Sequence, residues 1–252
     1  MVRQLDDSPK TAIVYPDSDG KPMADNTRQF RWITTIKSNL DWLFANNADV
    51  FVAGDLLWYP VEGDNKTRQA PDVMVAFGRP KGERGSYQQW KENNIPPQVV
   101  FEILSPGNTA TEMTRKLLFY DRYGVEEYYI YNPDKNDLGG CIRRENRLES
   151  LENLDNWVSP RLGIRFQLAE PELVLYYPDG QPFTSYNEER QRAETESQRA
   201  ETESQRAEAE RQRAETERQR AETESQRAEA ERQRAERLAA KLRELNINPE
   251  ET

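Results

Sequence analysis

Two carboxylates and one lysine stand where the surrounding pattern has no use for charge. Asp72 lies in the apolar stretch Ala70-Pro71-Asp72-Val73-Met74-Val75-Ala76-Phe77, and Glu102 lies between Phe101 and Ile103. A carboxylate in a buried strand is costly unless a metal or a cation compensates it. Lys116 sits at the edge of a helical stripe of Met113, Leu117 and Tyr120, from which its ammonium can turn back toward a sheet. Two carboxylates from neighbouring strands and a lysine suit phosphodiester hydrolysis. The acids hold Mg2+ or Mn2+, hard cations that take oxygen ligands. The ion acidifies water and offsets charge on the phosphate. The lysine orients or deprotonates that water and steadies the developing charge. No histidine is required, and the chain has none.

Each of these residues also has a structural reading that its type and position leave open. Asp72 caps a turn or pairs with an arginine, Glu102 is a buried ion-pair partner of Lys116, and Lys116 snorkels. Ser105 has neither a G-x-S-x-G setting nor a histidine to activate it, so it reads as a helix cap or a phosphate contact. The segment Gly78–Gly85 carries Arg79, Lys81 and Arg84 among three glycines. It reads as a loop touching nucleic-acid backbone or as a solvated surface loop. Asp55, after Gly54, reads as a turn residue, and Cys141 as a small buried hydrophobe.

The elements that must position these groups form a mixed α/β pattern. Phe30, Ile33, Ile36, Leu40 and Leu43 make a helical stripe over residues 26–46, with Asn26 as N-cap. Val50–Ala53 and Leu56–Tyr59 read as strand, bent at Gly54-Asp55, followed by strands at Ala70–Phe77 and Gln98–Leu104. Asn108–Tyr123 reads as a helix, with Thr109 and Glu112 fitting a capping box and Gly124 at the C′ position. Glu127–Tyr131 is a fourth strand, and further short antiparallel strands follow around Cys141–Arg143, Ile164–Phe166 and Leu173–Tyr177.

The chain has 252 residues with a formal charge of -10, and its composition is uneven. All 5 Trp, 11 Tyr and 8 Phe precede residue 188, so that portion can bury a core of ordinary size. We read residues 1–25 as an N-terminal extension, 26–187 as the folded domain, and 188–252 as a tail. From Gln191 the tail repeats QRAETES-like heptads with alanine at 193, 200, 207, 214, 221, 228 and 235. Ala, Glu, Gln and Arg are strong helix formers, and the charges fall three and four apart. A long solvated helix and a weak coiled coil both fit, because a seam of Ala with Ser, Thr or Arg buries little. Disorder is the third reading. Leu238, Leu242 and Leu245 form the ordinary apolar stripe near its end.

Composition also excludes. Without histidine there is no imidazole base and no His-ligated metal, and with one cysteine there is no intramolecular disulfide, zinc knuckle or iron–sulfur cluster. No apolar run approaches a bilayer span, and Met1–Asp7 is too polar for a signal peptide. We expect a cytoplasmic protein with no membrane contact. The acidic balance argues against a strongly basic nucleic-acid binder but allows a local basic surface with a divalent metal.

The motifs Pro71-Asp72-Val73, Glu102-Ile103-Leu104-Ser105-Pro106, Lys116 with Tyr120, and Gly124-Val125-Glu126-Glu127-Tyr128-Tyr129 together are similar to the PD-(D/E)XK restriction-endonuclease-like superfamily. The sequence closely resembles the Uma-type endonuclease family of bacteria, common in cyanobacteria, over roughly residues 26–180. The resemblance implies a restriction-endonuclease-like mixed sheet flanked by helices, and a metal-dependent deoxyribonuclease acting on DNA. It implies Asp72 and Glu102 as the metal-binding carboxylates and Lys116 as the catalytic lysine; we expect Tyr120 to support Lys116 from behind, outside the reacting groups. From the residues themselves rather than the resemblance, Arg79, Lys81, Arg84 and Ser105 are the candidate nucleic-acid contacts. Two departures stand out. Leu104 occupies the place where the superfamily pattern has lysine, so Lys116 must reach the same point from the following helix. The first helix offers only Asp41 as an acid, leaving the metal to be completed by water or the Ile103 carbonyl. The alternative is a non-catalytic nucleic-acid- or protein-binding module with the same fold and a helical assembly arm, paired as a homodimer through the core or the heptad tail.

Overall fold

A computed structural model describes residues 13–20 and 22–244. The readings that fall on Met1–Asp7 and Leu245 lie outside the described residues. The chain divides into two compact units, the first ending at Tyr186 and the second starting at Asn187.

In the first unit, helix α1 (Thr27–Leu43) starts where Asn26 accepts a hydrogen bond from the Gln29 backbone N–H. A six-stranded sheet follows from β1 (Val50–Gly54), β3 (Val73–Phe77), β5 (Val99–Ile103), β6 (Glu127–Asn132), β7 (Asp137–Arg144) and β8 (Arg147–Ser150), in the spatial order β1-β3-β5-β6-β7-β8. All neighbours are antiparallel except β5 and β6. A parallel pair needs a crossover, and helix α2 (Ala110–Arg122) supplies it. Thr109 caps α2 by accepting from the Glu112 N–H, and Gly124, at φ +93°, ends it. Two small sheets complete the unit: β2 (Trp58–Tyr59) with β4 (Tyr87–Gln88), and β9 (Arg165–Leu168) with β10 (Leu173–Tyr176).

Side chains alternate across a strand, so each strand feeds two cores. Val50, Val52, Val73, Val75, Val99, Phe101 and Ile103 pack on one face against Trp32, Ile33, Ile36 and Leu40 of α1. Phe51, Ala53, Met74, Ala76 and Val100 pack on the other face, with Tyr120 of α2, Trp58 and Tyr128. The sheet is thus covered by α1 on one side and α2 on the other, the mixed α/β arrangement expected. Two boundaries differ: β3 starts at Val73 and not at Ala70, and the strand after α1 stops early. The expected bent strand from Val50 to Tyr59 is interrupted at Asp55, whose φ of +48° takes it out of extended conformation, and Trp58-Tyr59 joins a separate two-stranded sheet.

Residues 13–20 and 22–25 belong to the first unit rather than extending from it. Tyr15 packs on Tyr59 and Trp90 at centroid separations of 5.2 and 4.9 Å, and Tyr59 donates its hydroxyl to the Pro16 carbonyl. The second unit is helical: α3 (Tyr186–Glu244) runs 59 residues, about 90 Å at 1.5 Å per residue. Its described side chains are nearly all exposed, as its charged heptads require. Among the described residues, no helix is long and apolar enough to cross a membrane.

Candidate active site

The strand registers carry three acids into one row. Val73 faces Phe101 between β3 and β5, so one step further along Asp72 faces Glu102. Gly54 faces Val73 at the end of the β1–β3 ladder, and Asp55 follows it directly, beside Asp72. Asp72 precedes the β3 ladder instead of lying within it, and its carbonyl, with that of Pro71, accepts the Asp55 N–H at 3.2 and 3.1 Å. By alternation, Asp72 and Glu102 share the face covered by α2, and Asp55 lines the same cleft as Asp72.

Lys116 and Tyr120 are four apart on α2 and therefore share one face of the helix. Lys116 Nζ lies 2.7 Å from Glu102 Oε2, and the Tyr120 hydroxyl donates to Glu102 Oε1 at 2.5 Å. Both oxygens of Glu102, a residue 1% exposed, are thereby occupied. Tyr120 bears on Lys116 indirectly: the phenol holds Glu102, which in turn holds Lys116. Asp72 Oδ2 accepts from the Ile103 N–H at 2.6 Å, while its Oδ1 carries no hydrogen bond among the described residues.

Asp72 and Lys116 open into a cleft of about 420 Å³ that is also lined by Asp19, Asp25, Asp55, Gln29 and Glu112. Five carboxylates thus face one ammonium. Burial, then the charge of Glu102, pushes the Asp72 carboxyl well above its usual range. Burial and Asp19 push Asp55 up as well. Burial alone would lower Lys116, but the Glu102 carboxylate outweighs it and holds the amine protonated. These are oxygen donors crowded by their own charge, a set that fits a hard divalent cation. Among the described residues no three acidic, histidine or cysteine side chains form a ready cage, so water and a substrate phosphate would complete the coordination, as is usual for Mg2+.

Several expected participants lie elsewhere. β3 carries the chain about 17 Å away from Asp72 before the Gly78–Gly85 loop begins, at the opposite end of the strand. There Arg79 and Arg84 pair with Glu92 at 2.9 and 2.6 Å, with only 12% and 13% of their side chains exposed. Arg84 also lies over the Phe51 ring at 3.9 Å. Lys81 is exposed on the same loop, outside the cleft. Ser105 is buried and donates to Asp25 Oδ2 at 2.5 Å, tying the N-terminal segment to the entrance of α2. Asp41 pairs with Lys37 on exposed surface.

Sequence reasoning missed Asp55, Asp25 and Gln29. Gln29 donates to the Ile103 carbonyl at 2.8 Å and accepts from the Asp25 N–H, so the carbonyl proposed as a metal ligand already has one partner. Asp55 had a signal, an acid immediately after a strand neighbouring that of Asp72, but only the pairing of β1 with β3 brings the two side by side.

None of the curated proteins matches this chain. Among solved structures, the chain is similar to "a putative nuclease belonging to DUF820" from Anabaena variabilis ATCC 29413, with 17% identity and a TM-score of 0.41, over 57% of this chain and 78% of that one. The model of one family, described as "Putative restriction endonuclease", matches residues 4–170. That stretch is well over half of the chain and holds the whole row of acids with Lys116 and Tyr120, and the chain belongs to this family, Uma2.

Proposed function

We propose that this protein is a metal-dependent endonuclease that hydrolyses DNA phosphodiester bonds in the cleft beside Asp72 and Lys116. The observation that carries the reading is the convergence of Asp72, Glu102 and Lys116 from two strand ends and the following helix, in a chain of a family described as "Putative restriction endonuclease". Asp72 and Glu102 are the carboxylates whose charge would hold Mg2+ or Mn2+. When bound, the ion offsets charge on the phosphodiester and makes water a better nucleophile at neutral pH.

The remaining work falls to the chain's own groups. Lys116, protonated and fixed by Glu102, donates hydrogen bonds to the attacking water or to a phosphate oxygen and stabilises the charge that develops there. Its raised pKa supports orientation over proton abstraction. Tyr120 keeps Glu102 in the rotamer that holds Lys116. The Ile103 N–H fixes Asp72 by one oxygen and leaves the other toward the cleft.

A second reading, a non-catalytic module with the same fold, is favoured by the closed Glu102–Lys116 pair and by the 59-residue helix as an assembly arm joining two copies. Plasmid nicking with Mg2+ or Mn2+ separates the two. The nuclease reading expects activity in the wild type and its loss in folded D72A and K116A. Equal traces of nicking in all three favour the module.

A further inference from the structure

Glu102 presents a difficulty as a direct ligand. It does not line the cleft, and each of its oxygens already accepts a strong hydrogen bond. Each oxygen keeps a further lone pair, but at 1% exposure and off the cleft wall Glu102 is not within direct reach of an ion held in the cleft. Asp72 has the opposite character: it is 8% exposed, lines the cleft and keeps Oδ1 without a partner. A carboxylate whose one oxygen is fixed by a backbone N–H and whose other is open at a cleft is placed to take a cation.

Asp55 is the neighbouring acid with the same freedom. It follows directly on Gly54, the last residue of the β1–β3 ladder, so its backbone lies beside Asp72. Its backbone N–H is held by the Pro71 and Asp72 carbonyls, which locks the two residues together. Its side chain lines the same cleft, and no hydrogen bond or ion pair is made to it among the described residues.

Resting on the nuclease reading above, we infer that Asp55 is the second carboxylate that ligates the divalent ion beside Asp72, while Glu102 acts as a positioning residue that anchors Lys116. Glu102 then adds its charge to the site without leaving its two partners.

The test is Mn2+ binding to the full chain, followed by electron paramagnetic resonance of free Mn2+ and by the Mn2+-induced rise in melting temperature. Asp55→Asn suits it, because Asn tolerates the left-handed backbone at this position, and Asp55→Gly serves as a second variant with the same tolerance. We expect both, like Asp72→Asn, to weaken Mn2+ about 10-fold or more, and Glu102→Gln to weaken it by clearly less. Mn2+ bound by D55N and D55G as tightly as by wild type, with binding lost in D72N, overturns the assignment of Asp55 and leaves the nuclease reading standing. A loss in E102Q as large as that in D55N overturns the positioning role of Glu102. No Mn2+ binding by the wild type overturns both the inference and the metal-dependent reading beneath it.

Discussion

Lys116 reaches from α2 to within 2.7 Å of Glu102 on β5, so the sheet and the helix above it meet through an ion pair whose acid side chain is 2% exposed and whose lysine side chain is 13% exposed. Removing one member of such a pair leaves the other buried and uncompensated, which costs about 3–5 kcal/mol. E102Q and K116M are each expected to destabilise in this range. The double variant leaves no stranded charge and should cost less than the sum by about 1 kcal/mol or more. Urea unfolding of the four proteins measures the cycle; additive costs would show that the two groups do not depend on each other.

Tyr120→Phe keeps the ring that packs in the α2 core and deletes only the hydroxyl. Loss of a buried hydrogen bond to a carboxylate is expected to cost about 1.5–3 kcal/mol. Nicking should fall less than in K116A, because Lys116 still has Glu102. Activity as low as in K116A would place the phenol in the chemistry itself.

The Glu92 cluster yields a pH test away from the cleft. Burial pushes this carboxyl up, but hydrogen bonds and charge from Arg84 and Arg79 outweigh it and hold it below its ordinary value of 4.5. A depressed folded value means that the unfolded chain takes up the proton first, so this stabilisation is present above 4.5 and fades as pH falls through the folded value. The stability gap between wild type and E92Q is therefore expected to be full near neutrality and to shrink in acid. A gap that widens in acid would reverse the sign.

For the tail, the alanine seam implies weak pairing, since small side chains bury little area. Light scattering is expected to show a mass that rises with concentration for the full chain and not after deletion of 188–252. A dimer that survives the deletion assigns pairing to the first unit.

Much of this architecture is legible in local chemistry. Asn26 and Thr109 announce the two helix starts, because a cap is decided by residues three positions apart. The charged heptads announce α3, and Glu102 declares itself by interrupting an apolar strand. Asp72, Glu102 and Lys116 are recognisable as a set because each violates the pattern around it.

What the sequence determined by itself, then, is the local order of elements and the identity of the misplaced charges, since caps, periodicity and propensity act over a few residues. Tertiary structure alone decided which charges meet. The pairing of β1 with β3 turned Asp55 from a turn residue into the neighbour of Asp72, and the length of β3 sent Arg79 and Arg84 to Glu92 instead of to the cleft. Strand register is a contact between distant segments, and a shift of one residue would have sent every one of these side chains to the other face.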